Sequence, residues 1–327
     1  MRDLVTGATG FIGSHLTKAL LAEGRPVRVL VREGSCAYSL GKTGVEIVEG
    51  DITIPASLPR ALEGVDRVFH CAALVSDWGG WDDFRLTNVQ GVDNMLAASR
   101  VAGVRHFIHL STTDVYGFPR CPGDEEAPFQ YRGWPYGDTK IDGEKKVWEY
   151  REKYGMPVTV IRPANVYGAG SRSFVLEIAR MLKKKDMVHL GNGGQSAGLC
   201  HVNNLVDCIL LAGRNGNSVG QSYNVTDGNG FSWREFVELL AEKSGMPGPR
   251  VTLPRRLAYL TGWLLEQFGN PARESERPLL TRMAVEIFTA DQSFSIGKAR
   301  RELGYRPTET VEGTMDEMVA WLAGEGC

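Results

Sequence analysis

Apolar residues recur along this chain in two rhythms. Short runs suited to buried strands gather around Val5 and then at residues 27–31, 45–48, 67–70, 107–110, 158–161 and 222–225. Between them, apolar positions spaced by three and four predict helices over 11–23, 84–102 and 137–154. Phe11, Ile12, Leu16, Ala19 and Leu20 share one face of the first helix, which Gly24 and Pro26 then stop. Alternation of this kind predicts an α/β chain with a doubly wound parallel sheet covered on both faces. After about Gly168 the alternation loosens into segments rich in Leu, Trp, Arg and Glu. They predict a smaller, mostly helical domain over the carboxyl edge of the sheet, where ligands of such sheets bind. Because 222–225 reads as a strand returning to the sheet, the domains are expected to interleave. Residues 1–167 and 200–228 form the sheet domain, and 168–199 and 229–327 form the other.

The turn between the first strand and the first helix reads Thr-Gly-Ala-Thr-Gly-Phe-Ile-Gly over residues 6–13. Gly7 permits the tight turn, Gly10 lets backbone approach a ligand, and Gly13 lets helix and strand pack closely. With Thr9, Phe11 and Ile12 they place a helix N-terminus, with unpaired N–H groups and positive partial charge, against a pyrophosphate. A strand, a glycine turn and a helix in that order predict a Rossmann-type dinucleotide site and make 168–199 and 229–327 the substrate domain. The second strand ends at Arg32. An acid there would bind the ribose hydroxyls of NAD, whereas an arginine pairs with the 2′-phosphate of NADP. Arg32 favours NADP, and the adjacent Glu33 keeps NAD open.

Tyr136-Gly-Asp-Thr-Lys140 opens the third helix with Tyr136 and Lys140 on one face. A tyrosine with a pKa of about 10 is a poor base until a nearby ammonium stabilises its phenolate. The pair then has the means to take a proton from an alcohol. Ser111 and Thr112 follow the strand at 107–110, so their hydroxyls emerge at the carboxyl edge, where Thr112 is placed to orient a reacting oxygen toward Tyr136. Capping of the strand end is the competing use of these hydroxyls.

Composition removes several other classes. The net charge of −2, with one short basic run at 183–185, leaves no nucleic-acid footprint. The six histidines lack metal-ligand spacing, so no metal is expected, and His15 reads as a surface or core residue. Cys36, Cys71, Cys121, Cys200, Cys208 and Cys327 show no paired spacing and suit thiols of a reducing, cytoplasmic compartment. The first strand begins at once, so no signal peptide is expected. No apolar stretch is long enough for an integral membrane span. The nearest approach, 257–268, suits core packing, an apolar substrate pocket or contact with a membrane surface.

These motifs in this order resemble the extended short-chain dehydrogenase/reductase family. The resemblance rests on 6–13, Asp51-Ile52, His70-Cys-Ala-Ala73, Asn88-Val-Gln-Gly91, Ser111 to Gly117, Tyr136 to Lys140 and Arg162-Pro-Ala-Asn-Val-Tyr-Gly168. It implies a catalytic Thr112, Tyr136 and Lys140. It also implies cofactor contacts from Asp51, Ile52, Ala72, Ala73, Pro163 and Asn165, and a buried, helix-ordering Asn88. It further implies a homodimer packed through the helices near 84–100 and 137–154. Asp3 departs from the family pattern, being a charge in a strand that is usually apolar.

Members acting on nucleotide sugars carry a diphosphate-gripping arginine four residues before the position of His201, and here that position is Ala197. Arg172 and Arg282 are the candidate substitutes. Dehydratases carry Asp-Glu where this chain has Thr113-Asp114. The leucine- and aromatic-rich 257–268, followed by 277–282 and 294–307, resembles the 3β-hydroxysteroid and sterol-4-carboxylate dehydrogenase branch and its dihydroflavonol reductase-like relatives. That resemblance implies a secondary alcohol or ketone of a bulky apolar small molecule as substrate. A loop bearing Trp78 and Trp81 lies near the expected substrate mouth or packs on its neighbours. The alternatives are a nucleotide-sugar 4-epimerase and a dinucleotide-binding sensor without catalysis.

Overall fold

All strands of the main sheet but the edge strand at Glu46–Glu49 are buried almost throughout, because helices cover both of their faces. The computed structural model describes residues 1–35, 44–119, 123–271, 273 and 276–326, leaving Cys36, Cys121 and Cys327 outside. Seven strands, β1 (Asp3–Thr6), β2 (Val27–Val31), β3 (Glu46–Glu49), β4 (Arg67–His70), β5 (His106–Leu110), β6 (Val158–Pro163) and β7 (Ser222–Val225), form one sheet. All are parallel, in the order β7-β6-β5-β4-β1-β2-β3. The chain winds outward from β1 in one direction and from β4 in the other. The switch point between β1 and β4 therefore opens a crevice at their carboxyl ends.

Helix α1 (Phe11–Ala22) and the helix Val202–Arg214 cover one face, where Leu16, Leu20, Leu205 and Ile209 join Val5 and Val29 in a buried cluster. Removing a Leu side chain of this kind from water contributes roughly 1.5–3 kcal/mol. On the other face lie α2 (Gly91–Val101) and α3 (Pro135–Tyr154), with Met95, Leu96 and Val147 against Leu4, Val68 and Val160. A further cluster, including Tyr167, Leu182, Trp233, Phe236 and Met315, belongs to the later part of the chain. There α4 (Arg255–Glu266) packs against α5 (Arg282–Thr289). No helix among the described residues is long and apolar enough to cross a membrane.

Two local expectations are corrected. The helix expected over 84–102 is three pieces: Trp81–Arg85, a π turn at Leu86–Gln90, and α2. Inside the π turn, buried Asn88 receives a hydrogen bond from Leu74 N (2.8 Å) and donates one to Leu74 O (3.0 Å), pinning the turn to the segment after β4. The strand expected at 45–48 starts one residue later.

Asp3, the departure from an apolar first strand, is fully buried yet matched. Arg25 Nε lies 2.7 Å and Arg67 Nε 2.8 Å from its two oxygens, and Arg67 also donates to Gly213 O. Burial raises the Asp3 carboxyl to about 6, against the pull of Arg25.

Candidate active site

The glycine turn sits at the switch point. Gly7 has φ +69°, and a Cβ there would lie 2.8 Å from Ala72 N, while a Cβ on Gly13 would overlap Gly7 O. Ala72 N donates to Thr6 Oγ1 (3.2 Å), which binds the ends of β1 and β4 side by side. No side chain caps α1, and Thr9 and Gly10 are exposed in front of it. An uncapped helix start approached only by glycine fits a dinucleotide pyrophosphate. Phe11 and Ile12 are half-buried beside it, and Ala72 and Ala73, half-buried too, follow the carboxyl end of β4.

After β3, Asp51 Oδ1 accepts from Thr53 N and Thr53 Oγ1, both at 2.8 Å, and Ile52 is buried against the site of Gly91. Arg32 stands exposed just past β2 and makes no ion pair among the described residues. Pro163 closes β6, buried. Asn165 Nδ2 donates to Ala197 O (2.7 Å) and Gln292 Oε1 (3.0 Å), so this amide also ties the end of β6 to the later part of the chain.

Thr112 caps the short 3-10 turn Thr113–Tyr116, its Oγ1 accepting from Asp114 N at 3.2 Å. The same side chain hydrogen-bonds Tyr136, in the first turn of α3. Capping and orientation are thus compatible. One helical turn on, buried Lys140 donates from Nζ to Leu110 O (2.7 Å). Burial lowers the Lys140 ammonium to about 8, with Glu144 opposing. Burial pushes the Tyr136 phenol up, nearby Asp114 adds to this, and the Thr112 hydrogen bond pulls it down. Thr112, Tyr136 and Lys140 therefore converge at the carboxyl end of β5, while the Lys140 proton is directed at Leu110.

Asp114 is raised by burial from 3.8 to about 7. A carboxyl whose folded pKa is raised loses stability as pH climbs through that window. Asp114→Asn should therefore raise the unfolding temperature more above about 7 than below 3.8. Thermal melts at both ends test this, and equal shifts would remove burial as the cause.

Helix α3 is held from behind by Asn88, Ser111, Tyr116 and Arg162 of the motifs above and by Gly143, Glu144 and Trp148, which none of those motifs contains. A Cβ on Gly143 would overlap Asn88 O, so α3 rests directly on the π turn. Glu144 accepts from Ser111 Oγ (2.6 Å), Trp148 Nε1 (3.0 Å) and Arg162 Nε (3.1 Å). Arg162 continues to Tyr116 OH (2.7 Å), which donates to Asn224 Oδ1 (2.8 Å). This buried chain joins α3, β5, β6 and β7. The spacing of Glu144, four residues past Lys140, was the available signal.

In the later part of the chain, Ala197 is wholly buried in the cluster of Tyr167 and Trp233. Arg172 pairs with Glu325, and Arg282 pairs with Glu266, both at 2.6 Å. Trp78 lies against Gly269, and Asp77 of the same loop accepts from Arg277 and Thr281, so this loop packs on the segment after α4. Phe118, Pro119, Gln130, Arg132, Arg255 and Glu286 line a cleft of about 410 Å³ just past the turn Thr113–Tyr116.

Residues 4–226 match the NAD dependent epimerase/dehydratase family. The chain is 33% identical to a 3 beta-hydroxysteroid dehydrogenase/Delta 5-->4-isomerase of Mycobacterium tuberculosis, over 98% of this chain and 90% of the relative. It is 31% identical to the 4-hydroxy-2-methyl-3-oxo-4-farnesyl-3,4-dihydroquinoline-1-oxide ketoreductase of Stigmatella aurantiaca, over 100% and 98%. A UDP-glucose 4-epimerase structure from Thermotoga maritima superposes with a TM-score of 0.79 at 25% identity, covering 100% of both chains.

Proposed function

The chain belongs to the NAD dependent epimerase/dehydratase family, and from that premise we propose that it interconverts a secondary alcohol and a ketone on a bulky apolar, steroid-like or related substrate. The observation that carries this reading is Ala197: a buried methyl group stands where nucleotide-sugar enzymes grip a diphosphate, and Arg172 and Arg282 are both paired elsewhere. An unsatisfied dianion would be costly there. Relatives named for a steroid and for a farnesyl-bearing ketone support the same substrate class.

The dinucleotide, when bound, supplies the hydride donor or acceptor. Gly7, Thr9, Gly10, Phe11, Ile12 and Gly13 hold its pyrophosphate, Asp51 and Ile52 its adenine, and Ala72, Ala73, Pro163 and Asn165 line the crevice. Tyr136 gives or takes the proton at the substrate oxygen. Thr112 hydrogen-bonds that oxygen, and Lys140 stabilises the phenolate and holds the nicotinamide ribose. The reading includes a cytoplasmic homodimer packed through α2 and α3.

Arg32 supports NADP over NAD. Arg32→Ala should weaken NADP binding roughly tenfold or more and leave NAD nearly unchanged, a difference read by titrating each cofactor. Growth of reduced-nicotinamide absorbance with 3β-hydroxysteroids and farnesylated alcohols tests the reaction itself. A flat trace across that panel, with UDP-galactose converted to UDP-glucose by the same preparation, would restore the epimerase.

A further inference from the structure

Helix α4 turns its large apolar side chains outward. Ala258 and Gly262 form its buried face, and a Cβ on Gly262 would already lie 3.1 Å from Arg282 N. The outer face carries Leu257 (50% exposed), Leu260 (50%), Leu264 (47%) and, just beyond the helix, Phe268 (87%). Their spacing of three, four and four residues makes one continuous ridge, flanked by exposed Tyr259 and Trp263. Leu279 (60% exposed) extends the patch, since neighbouring Leu280 packs with Ala258.

Unpaired positive charge precedes and opens the helix. Arg250 and Arg256 are exposed, and neither makes an ion pair among the described residues. The acidic residue of the helix, Glu266, faces inward to Arg282. A ridge of leucines with aromatic flanks and arginines at its start has the chemistry of an interfacial helix on anionic lipid. Taking ~200 Å² per large side chain, the helix and Phe268 expose on the order of 600 Å². That is less than the roughly 800 Å² per partner of a standard protein interface. The position adds to the argument. Arg255 lines the cleft just past the turn Thr113–Tyr116, and Gly269 meets Trp78 of the loop after β4.

We propose that α4 and Phe268 dock this protein on an anionic phospholipid surface, with the substrate cleft opening beside the bilayer. The second half rests on the apolar-substrate reading, because such substrates partition into lipid; the docking does not.

The full chain would be sedimented with vesicles of phosphatidylcholine alone and of phosphatidylcholine mixed with phosphatidylglycerol. Co-sedimentation with the mixed vesicles, weaker on phosphatidylcholine and weakened by salt, is expected. Leu260→Glu with Leu264→Glu should cut partitioning at least tenfold while leaving unfolding temperature and dinucleotide affinity unchanged. Arg256→Glu should weaken only the anionic component. Protein that stays in the supernatant with both vesicles overturns the proposal. So does a lipid-free dimer that the Leu260→Glu, Leu264→Glu variant dissolves, which would assign the ridge to a second copy. Vesicle binding with no oxidation of any apolar alcohol would sustain the docking and sink the substrate reading instead.

Discussion

Tyr136→Phe should lower turnover by roughly 10²–10⁴-fold, the usual contribution of a positioned acid or base, and leave the fold intact. Only a hydroxyl is removed, from a half-buried ring whose helix is fixed by other residues. Thr139 Oγ1 donates to Pro135 O, and Asp138 accepts from Arg132 N and Gly133 N, both at 2.9 Å. The loss should therefore fall on kcat with little change in KM or cofactor affinity. Initial rates of reduced-nicotinamide formation, beside a cofactor titration, separate the two. Unchanged turnover would move the proton transfer elsewhere, and Asp114, the carboxyl acting on Tyr136, would be the group to replace next.

The largest loss of stability is expected from Glu144→Ala. Glu144 is wholly buried and Arg162 is 4% exposed, so the substitution leaves an uncompensated guanidinium inside the protein. Breaking a buried pair in this way costs about 3–5 kcal/mol, and the unfolding temperature should fall on the order of 10 °C. The same change removes the acceptor of Ser111 and Trp148, so activity should fall as Thr112 loses its anchored neighbour. Glu144→Ala combined with Arg162→Met should recover much of the stability, because a paired removal leaves no stranded charge. Denaturant melts of the single and double variants decide this. A single-variant loss below about 1 kcal/mol would mean that water reaches Arg162.

Features set by neighbours along the chain were legible in the residues alone. The glycine turn, the strand and helix alternation and the pairing of Tyr136 with Lys140 are contacts within one or two turns, and spacing reports them directly. The strand at 222–225 was legible as a short segment of strand length, although its partner β6 lies about 60 residues earlier.

Contacts between residues far apart in the chain emerged only on folding. Asp3 looked unsuited to its strand until Arg25 and Arg67, 22 and 64 residues away, were brought to it. The π turn follows from Asn88 reaching Leu74, a bond that overrides a helical pattern apolar enough to predict one unbroken helix. Glu144 and Arg162, 18 residues apart, meet only because α3 crosses behind β6. Helix α4 makes the limit plainest. Periodicity reveals that a helix has an apolar face, but which face is covered depends on the neighbour. Here α5 closes on Ala258 and Gly262, leaving Leu257, Leu260 and Leu264 outside. An apolar stripe carries no sign for inward or outward, because burial is a property of two surfaces and the sequence pattern describes one.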